Sequence, residues 1–183
     1  HNSYAHIPVG GASLENWSTV TALGNIAVLG NRGPVYVPAG GGNPISAGPS
    51  EEWRLAQGGS AGSVGENSQT LLIHGSRNSW SGNVVYNDGS GRLEREPNPS
   101  TLRQLRSTDP AQIGQPQPSY NDNLFAFENT GVQPNLRKNA YLRIWARGIP
   151  TVGGNPNLTY GLIPMSNENG TATSLGSSYV YND

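Results

Sequence analysis

Apolar residues in this chain never run far before a glycine, proline, asparagine or serine interrupts them, and that punctuation limits what the chain can fold into. The sequence carries 25 glycines and 14 prolines among 183 residues. Proline removes a backbone donor and glycine raises the entropic cost of order, so long helices are disfavoured. Short runs rich in β-branched and aromatic residues, bounded by turn formers, are the pattern of strands. The runs predict strands at 26–29, 35–37, 70–74, 83–86, 92–94, 124–127, 140–147, 158–163 and 179–181. The expected fold class is mainly β (α+β overall), an antiparallel sheet with long Gly/Pro-rich loops and one or two short helices.

Helix signals are sparse. Ser50 is placed to cap a short helix through Glu51, Glu52, Trp53, Arg54 and Leu55, with two acids in the positive first turn and Gly58-Gly59 as the stop. Residues 100–106 predict another turn or two. The segments 38–48 and 110–119 read as surface loops, the second too rich in proline for a helix or a central strand. No repeat and no long charge block divides the chain, so residues 1–183 are expected to form a single domain.

The charge balance narrows the partners. A net charge of −1, with basic residues scattered and only 13% of residues charged, offers no continuous positive surface for a phosphate backbone or an anionic membrane. Of the basic residues only Lys138 is a lysine, and the others are arginines. There is no cysteine, hence no disulfide and no thiolate metal site. No window approaches the roughly 20 apolar residues of a membrane-spanning helix. The first residue is His1 and the only methionine is Met165, which leads to the expectation of an upstream segment.

The most informative stretch runs from Gly82 to Glu94. Asn83-Val84-Val85-Tyr86 and Arg92-Leu93-Glu94 flank Asn87-Asp88-Gly89, a sequence that tolerates the positive φ a tight turn requires. The two flanks are expected to pair antiparallel. The same stretch, beginning at His74 and including Trp80, Asn83, Tyr86, Asp88 and Gly89, resembles the histidine-to-Asp-Gly segment of prepilin-like proteins of planctomycete type. Asp122-Asn123-Leu124-Phe125 is similar to the "DNLF" or "DNIY" stretch of that family, and Tyr141-Leu142-Arg143-Ile144-Trp145 to its closing apolar strand. Ser3-Tyr4-Ala5-His6 and Leu29-Gly30-Asn31-Arg32-Gly33-Pro34 resemble its "SYAY" and "DRxP" segments, with Asn31 in place of the aspartate. Where the family continues Asp-Gly-His-Val, this chain has Asp88-Gly89-Ser90-Gly91.

The resemblance implies the globular domain of a type IV pilin or type II secretion pseudopilin. In that family a short leader is cleaved, an apolar N-terminal helix packs in a filament core, and a β-sheet domain faces outward. It implies an extracellular, homo-oligomeric structural protein anchored through a helix outside this chain, and no enzymatic activity. His74, Asn83, Tyr86, Asp88, Gly89, Asp122 and Asn123 are then expected to hold the fold.

The residues that could carry chemistry point the same way. Glu51 and Glu52 suit a helix start, while Glu94 and Glu96, flanked by Arg92 and Arg95, suit a solvated sheet edge better than a hydrolase pair. His1, His6 and His74 lack metal-ligand spacing, and His74 is expected to end a strand and bond a neighbouring loop. No resident cofactor is expected. Asp88, Asp122 and Asn123 are the candidate calcium ligands, since calcium takes oxygen donors and is known among some pseudopilins, although such residues in turns commonly bond their own backbone. No Gly-x-Ser-x-Gly elbow or phosphate loop occurs. Trp17, Trp53, Trp80 and Trp145 raise a second class, a carbohydrate-binding β-domain, with Trp80 read as a core residue ahead of the alternative of a half-exposed one, and Trp145 in core or subunit contact. Asn16, Asn157 and Asn169 fit the glycosylation acceptor pattern. A hydrolase or a virion surface protein are the remaining alternatives.

Overall fold

The Asn87-Asp88-Gly89 turn joins the last two strands of the principal sheet. The computed structural model describes residues 4–7, 16–17, 24–40, 52–57, 65–106, 119–126, 128, 140–147, 158–159 and 178–181. Over these residues the chain is mostly β. In order, the elements are β1 (Tyr4–His6), β2 (Ala27–Asn31), β3 (Tyr36–Pro38), β4 (Trp53–Leu55), α1 (Leu71–His74), β5 (Gly82–Tyr86), β6 (Gly91–Glu94), β7 (Gln104–Arg106), β8 (Ser119–Asn121), β9 (Ile144–Arg147), β10 (Leu158–Thr159) and β11 (Ser178–Tyr181).

Four strands form an antiparallel sheet in the order β1-β2-β5-β6. Its register pairs Tyr4 with Asn31, His6 with Leu29, Leu29 with Val85, and Asn83 with Leu93, with an irregularity between Ala27 and Leu29. The β5–β6 hairpin forms as expected: the Tyr86 N–H donates to the Ser90 carbonyl at 2.8 Å, and Gly89 takes φ +81°. A second sheet has the order β10-β11-β9, and β3–β4 and β7–β8 are two-stranded ribbons. His6 and Arg143 exchange both backbone hydrogen bonds at 3.1 Å, which ties the edge of the main sheet to the approach of β9.

One face of the main sheet is inward. Ala5, Ala27, Val84 and Tyr86 lie under Ile7, Leu71, Trp80, Leu102, Leu124, Phe125, Ala140 and Leu142 in one buried cluster. Fully burying a large apolar side chain contributes about 1.5–3 kcal/mol, so the aromatic members dominate. Trp80 packs edge-on against Phe125 with ring centroids 4.7 Å apart, and its indole N–H donates to the Arg32 carbonyl at 2.9 Å. A side chain at Gly33 would meet the Phe125 ring at 2.3 Å, so the backbone approaches the ring there only because the residue is glycine.

Four local expectations are corrected. The Ser50 to Leu55 helix is absent: Trp53–Leu55 forms β4 and pairs with Tyr36–Pro38, with Arg54 exposed and its two neighbours partly buried in the alternation of a strand. Ser50 and Glu51 lie outside the described residues, and Glu52 is an exposed residue just before β4. Residues 71–74 form a helix, α1, instead of a strand, because Leu71 and Leu72 are good helix formers and only Leu71 is buried. Residues 124–126 form a buried turn, since the Asn123 side chain takes the Phe125 N–H that a ladder would have used. Residues 100–102 turn, and Gln104–Arg106 joins a ribbon instead of a helix. Of the predicted loops, 41–48 and 110–118 lie outside the described residues, as do 160–163 of a predicted strand.

The hairpin's dependence on Gly89 is measurable. Alanine at φ +81° carries the left-handed penalty of roughly 1–2 kcal/mol. Gly89→Ala is therefore expected to lower stability by about that amount in urea unfolding, with Gly89→Asn intermediate.

Candidate functional site

The family-like residues gather at two places that differ in solvent access. The first is the hairpin. Tyr86 is inward on β5, and its hydroxyl donates to Glu94 Oε1 at 2.5 Å and lies 2.9 Å from the Thr101 hydroxyl, which also reaches Glu94 at 3.1 Å. Burial, and then the bond to Glu94, push the Tyr86 phenol well above its ordinary range. The Arg92 guanidinium sits 4.9 Å over the Tyr86 ring. Glu94 is thus buried inside this cluster, which corrects the expectation that it shares a solvated face with Glu96: β6 is an edge strand, but residue 94 points inward and Glu96 is exposed beyond the strand end.

At the turn, Asp88 accepts the backbone N–H of Ser90 at 2.9 Å and the Ser90 hydroxyl at 2.6 Å. These bonds hold its carboxyl below the usual carboxylate range. Asn83 presents an exposed side chain, while its N–H donates to Asn31 Oδ1 at 2.7 Å, a bond across β2 and β5. The Asn31 side chain is therefore an acceptor for the neighbouring strand. His74 ends helix α1 instead of a strand; it is exposed, and its carbonyl accepts the Ser81 hydroxyl at 2.7 Å.

The second place is buried throughout. Asp122 and Asn123 are both 0% exposed. Asp122 Oδ2 accepts the Ala140 N–H at 2.7 Å and lies 3.9 Å from Arg103 Nε. The Asn123 N–H donates to Glu128 Oε1 at 2.7 Å, and its Oδ1 caps Phe125 N–H at 2.8 Å. Burial pushes the Asp122 carboxyl up to about 7, with Arg103 opposing. The Glu128 carboxyl is also raised, by burial and then by the charge of Asp122. Sealing two carboxyls from water in one cluster disfavours two negative charges there.

Arg143, also buried, joins this region to the main sheet. Its guanidinium donates to the Gly33 carbonyl at 2.9 Å, to the Pro34 carbonyl at 3.4 Å, and to the Phe125 carbonyl. It lies 5.5 Å from the Phe125 ring centre and 5.4 Å from that of Tyr141. Sequence reasoning singled out neither Arg143 nor Glu128. The available signal was a charged residue set inside each of two apolar runs, 124–128 and 140–145.

The calcium candidates do not come together: Asp88 is exposed on the hairpin turn, whereas Asp122 and Asn123 are sealed from solvent. Among the described residues no group of three or more His, Asp or Glu side chains is placed to hold a metal ion. Trp80 is 1% exposed, in agreement with the core reading and not with a half-exposed sugar platform, because its ring fills the space over Phe125. Asn16 is buried, with its Oδ1 facing Arg103, which removes it as a glycosylation acceptor in the folded chain. His1, Asn157 and Asn169 lie outside the described residues, and nothing is described of the Trp145 side chain.

The raised carboxyls fix a sign for pH dependence. Their protons bind more tightly in the folded chain than in the unfolded one, so the stability they contribute is complete below the ordinary carboxylate range and lost as pH rises toward about 7. Asp88 acts in the opposite sense, but only below its ordinary value of 3.8. Glu128→Gln keeps an oxygen for the Asn123 N–H and removes one of the two raised carboxyls. Its thermal midpoint is expected to fall less between pH 4 and 7 than that of the parent, and equal slopes would overturn the contribution of Glu128 to the pH dependence. Compared with protein-family models, curated proteins and solved structures, the chain matches none.

Proposed function

We propose that this chain is the outward-facing domain of a surface filament subunit of the type IV pilin or type II secretion pseudopilin kind, acting by assembly and not by catalysis. What carries the reading is the outer face of the main sheet. Tyr4, Leu29, Val85 and Leu93 are direct or diagonal neighbours across β1, β2, β5 and β6, as the register requires. Tyr4 is 60%, Leu29 37% and Leu93 51% exposed, so an apolar diagonal crosses all four strands. A row of this kind on a rigid sheet suits lateral packing against a neighbouring subunit. Many such contacts, each weak, add up along a filament.

The order of the family-like segments supports the same reading, and so does the use made of the acids. Glu94, Asp122 and Glu128 are buried and engaged in holding the fold, which leaves them unsuited to act on a substrate from solvent. Among the described residues no helix is long and apolar enough to cross a membrane. The proposal requires a filament-core helix that is not among the described helices, and the extracellular placement goes with it.

Two measurements test it together. The reading frame upstream of His1 is expected to encode a basic leader and about 20 apolar residues. In filaments sheared from the producing cells, the full-length chain is expected in the pelleted fraction, and Leu93→Glu to lower its recovery there about tenfold while leaving the thermal midpoint of the domain nearly unchanged. Recovery as a soluble monomer, or full assembly of the Leu93→Glu chain, would overturn the proposal.

A further inference from the structure

A groove of about 870 Å³ opens between the β3–β4 ribbon and the segment 65–78, away from the apolar diagonal and from the buried carboxyl pair. That volume lies within the range of small-ligand sites. Buried Tyr36 and Leu71 contribute to its floor, and half-buried Trp53 forms one wall. Its rim is polar and exposed: Gln57, Gln69 and Asn78 carry carboxamides, and Arg54 and Arg77 carry guanidinium groups. Glu66 is the one acid among the described lining residues.

We infer that this groove binds an oligosaccharide bearing carboxylate groups, that is, one containing uronic acid residues. A carboxamide donates and accepts at once, so a single side chain can bridge two adjacent ring hydroxyls. The indole of Trp53 offers an apolar wall to the C–H face of a sugar ring, while its remaining surface stays anchored against the core. Two guanidinium groups against one carboxylate leave the rim positive, and a planar guanidinium fork matches a carboxylate with two parallel hydrogen bonds. The competing ligand classes fit less well. An apolar helix would leave the amides and cations of the rim unpaired, and two cations do not form a track for a nucleic-acid backbone.

This inference does not depend on filament assembly and is tested on the soluble domain. Titration calorimetry with an oligogalacturonate tetramer, a neutral glucose tetramer and dextran sulfate is the experiment. Saturable binding of the uronate tetramer is expected, weaker by about tenfold in Arg77→Gln and in Asn78→Ala. Both positions are exposed, so the thermal midpoints of these variants should match the parent's. Binding of neither saccharide would overturn the site. Equal affinity for the neutral tetramer would overturn the carboxylate assignment. Dextran sulfate binding as tightly as the uronate, with no effect of Asn78→Ala, would reduce the groove to a patch of positive charge and overturn it as a saccharide site.

Discussion

A buried guanidinium organises this chain. Arg143 gives its N–H groups to the carbonyls of Gly33, Pro34 and Phe125, which belong to segments far apart in sequence, and rests between two aromatic rings. Its own backbone pairs with His6, so one residue links the first strand, the β2–β3 connection, the 122–126 turn and the approach to β9. Lysine could not substitute for this arrangement, because an ammonium on a flexible stem lacks the planar fork that reaches several carbonyls in fixed directions. The cost of burying the charge is offset by these bonds, since an unpaired charge in that place would be severely destabilising.

The neighbouring carboxyl pair follows the same logic. Asp122 and Asn123 set the turn that brings Phe125 beneath Trp80, and Glu128 closes it from the other side. Because both carboxyls are sealed from water, two negative charges there are costly, and burial raises both groups. A polar pair in such a position fixes one geometry for a loop that its composition would leave under-determined. The hairpin uses a smaller version of the device, with Tyr86, Glu94 and Thr101 bonded under β5 and β6.

These internal networks leave the outer surfaces available for function. The sheet's outward apolar diagonal and the polar groove beside β4 lie on opposite kinds of surface chemistry, one suited to a like subunit and the other to a hydroxyl-rich ligand. On the proposed reading, lateral packing through the first would leave the second open to the surroundings. The exposed residues of the diagonal and of the groove's rim lie outside the networks that hold the fold, so they can be altered without unfolding the chain, whereas Tyr36, Leu71, Trp53 and Val85 also pack in or against the core.

The local sequence was sufficient for the β class and for the 82–94 hairpin, because the turn chemistry of Asn87-Asp88-Gly89 and the β-branched flanks depend on near neighbours alone. It misled at Trp53–Leu55 and at Leu71–His74. Three or four residues carry too weak a propensity to resist what packs against them: a waiting strand partner in Tyr36–Pro38, and a core that receives only Leu71. Which acids are buried was decided in three dimensions. Glu94 and Glu96 look alike along the chain, yet only the first meets the Tyr86 hydroxyl, and nothing local marks Arg143 as a partner of a segment distant in sequence. Composition and turn residues act over a few positions and so are legible in order, whereas the pairing of buried charges depends on the closure of long loops, which only the folded chain specifies.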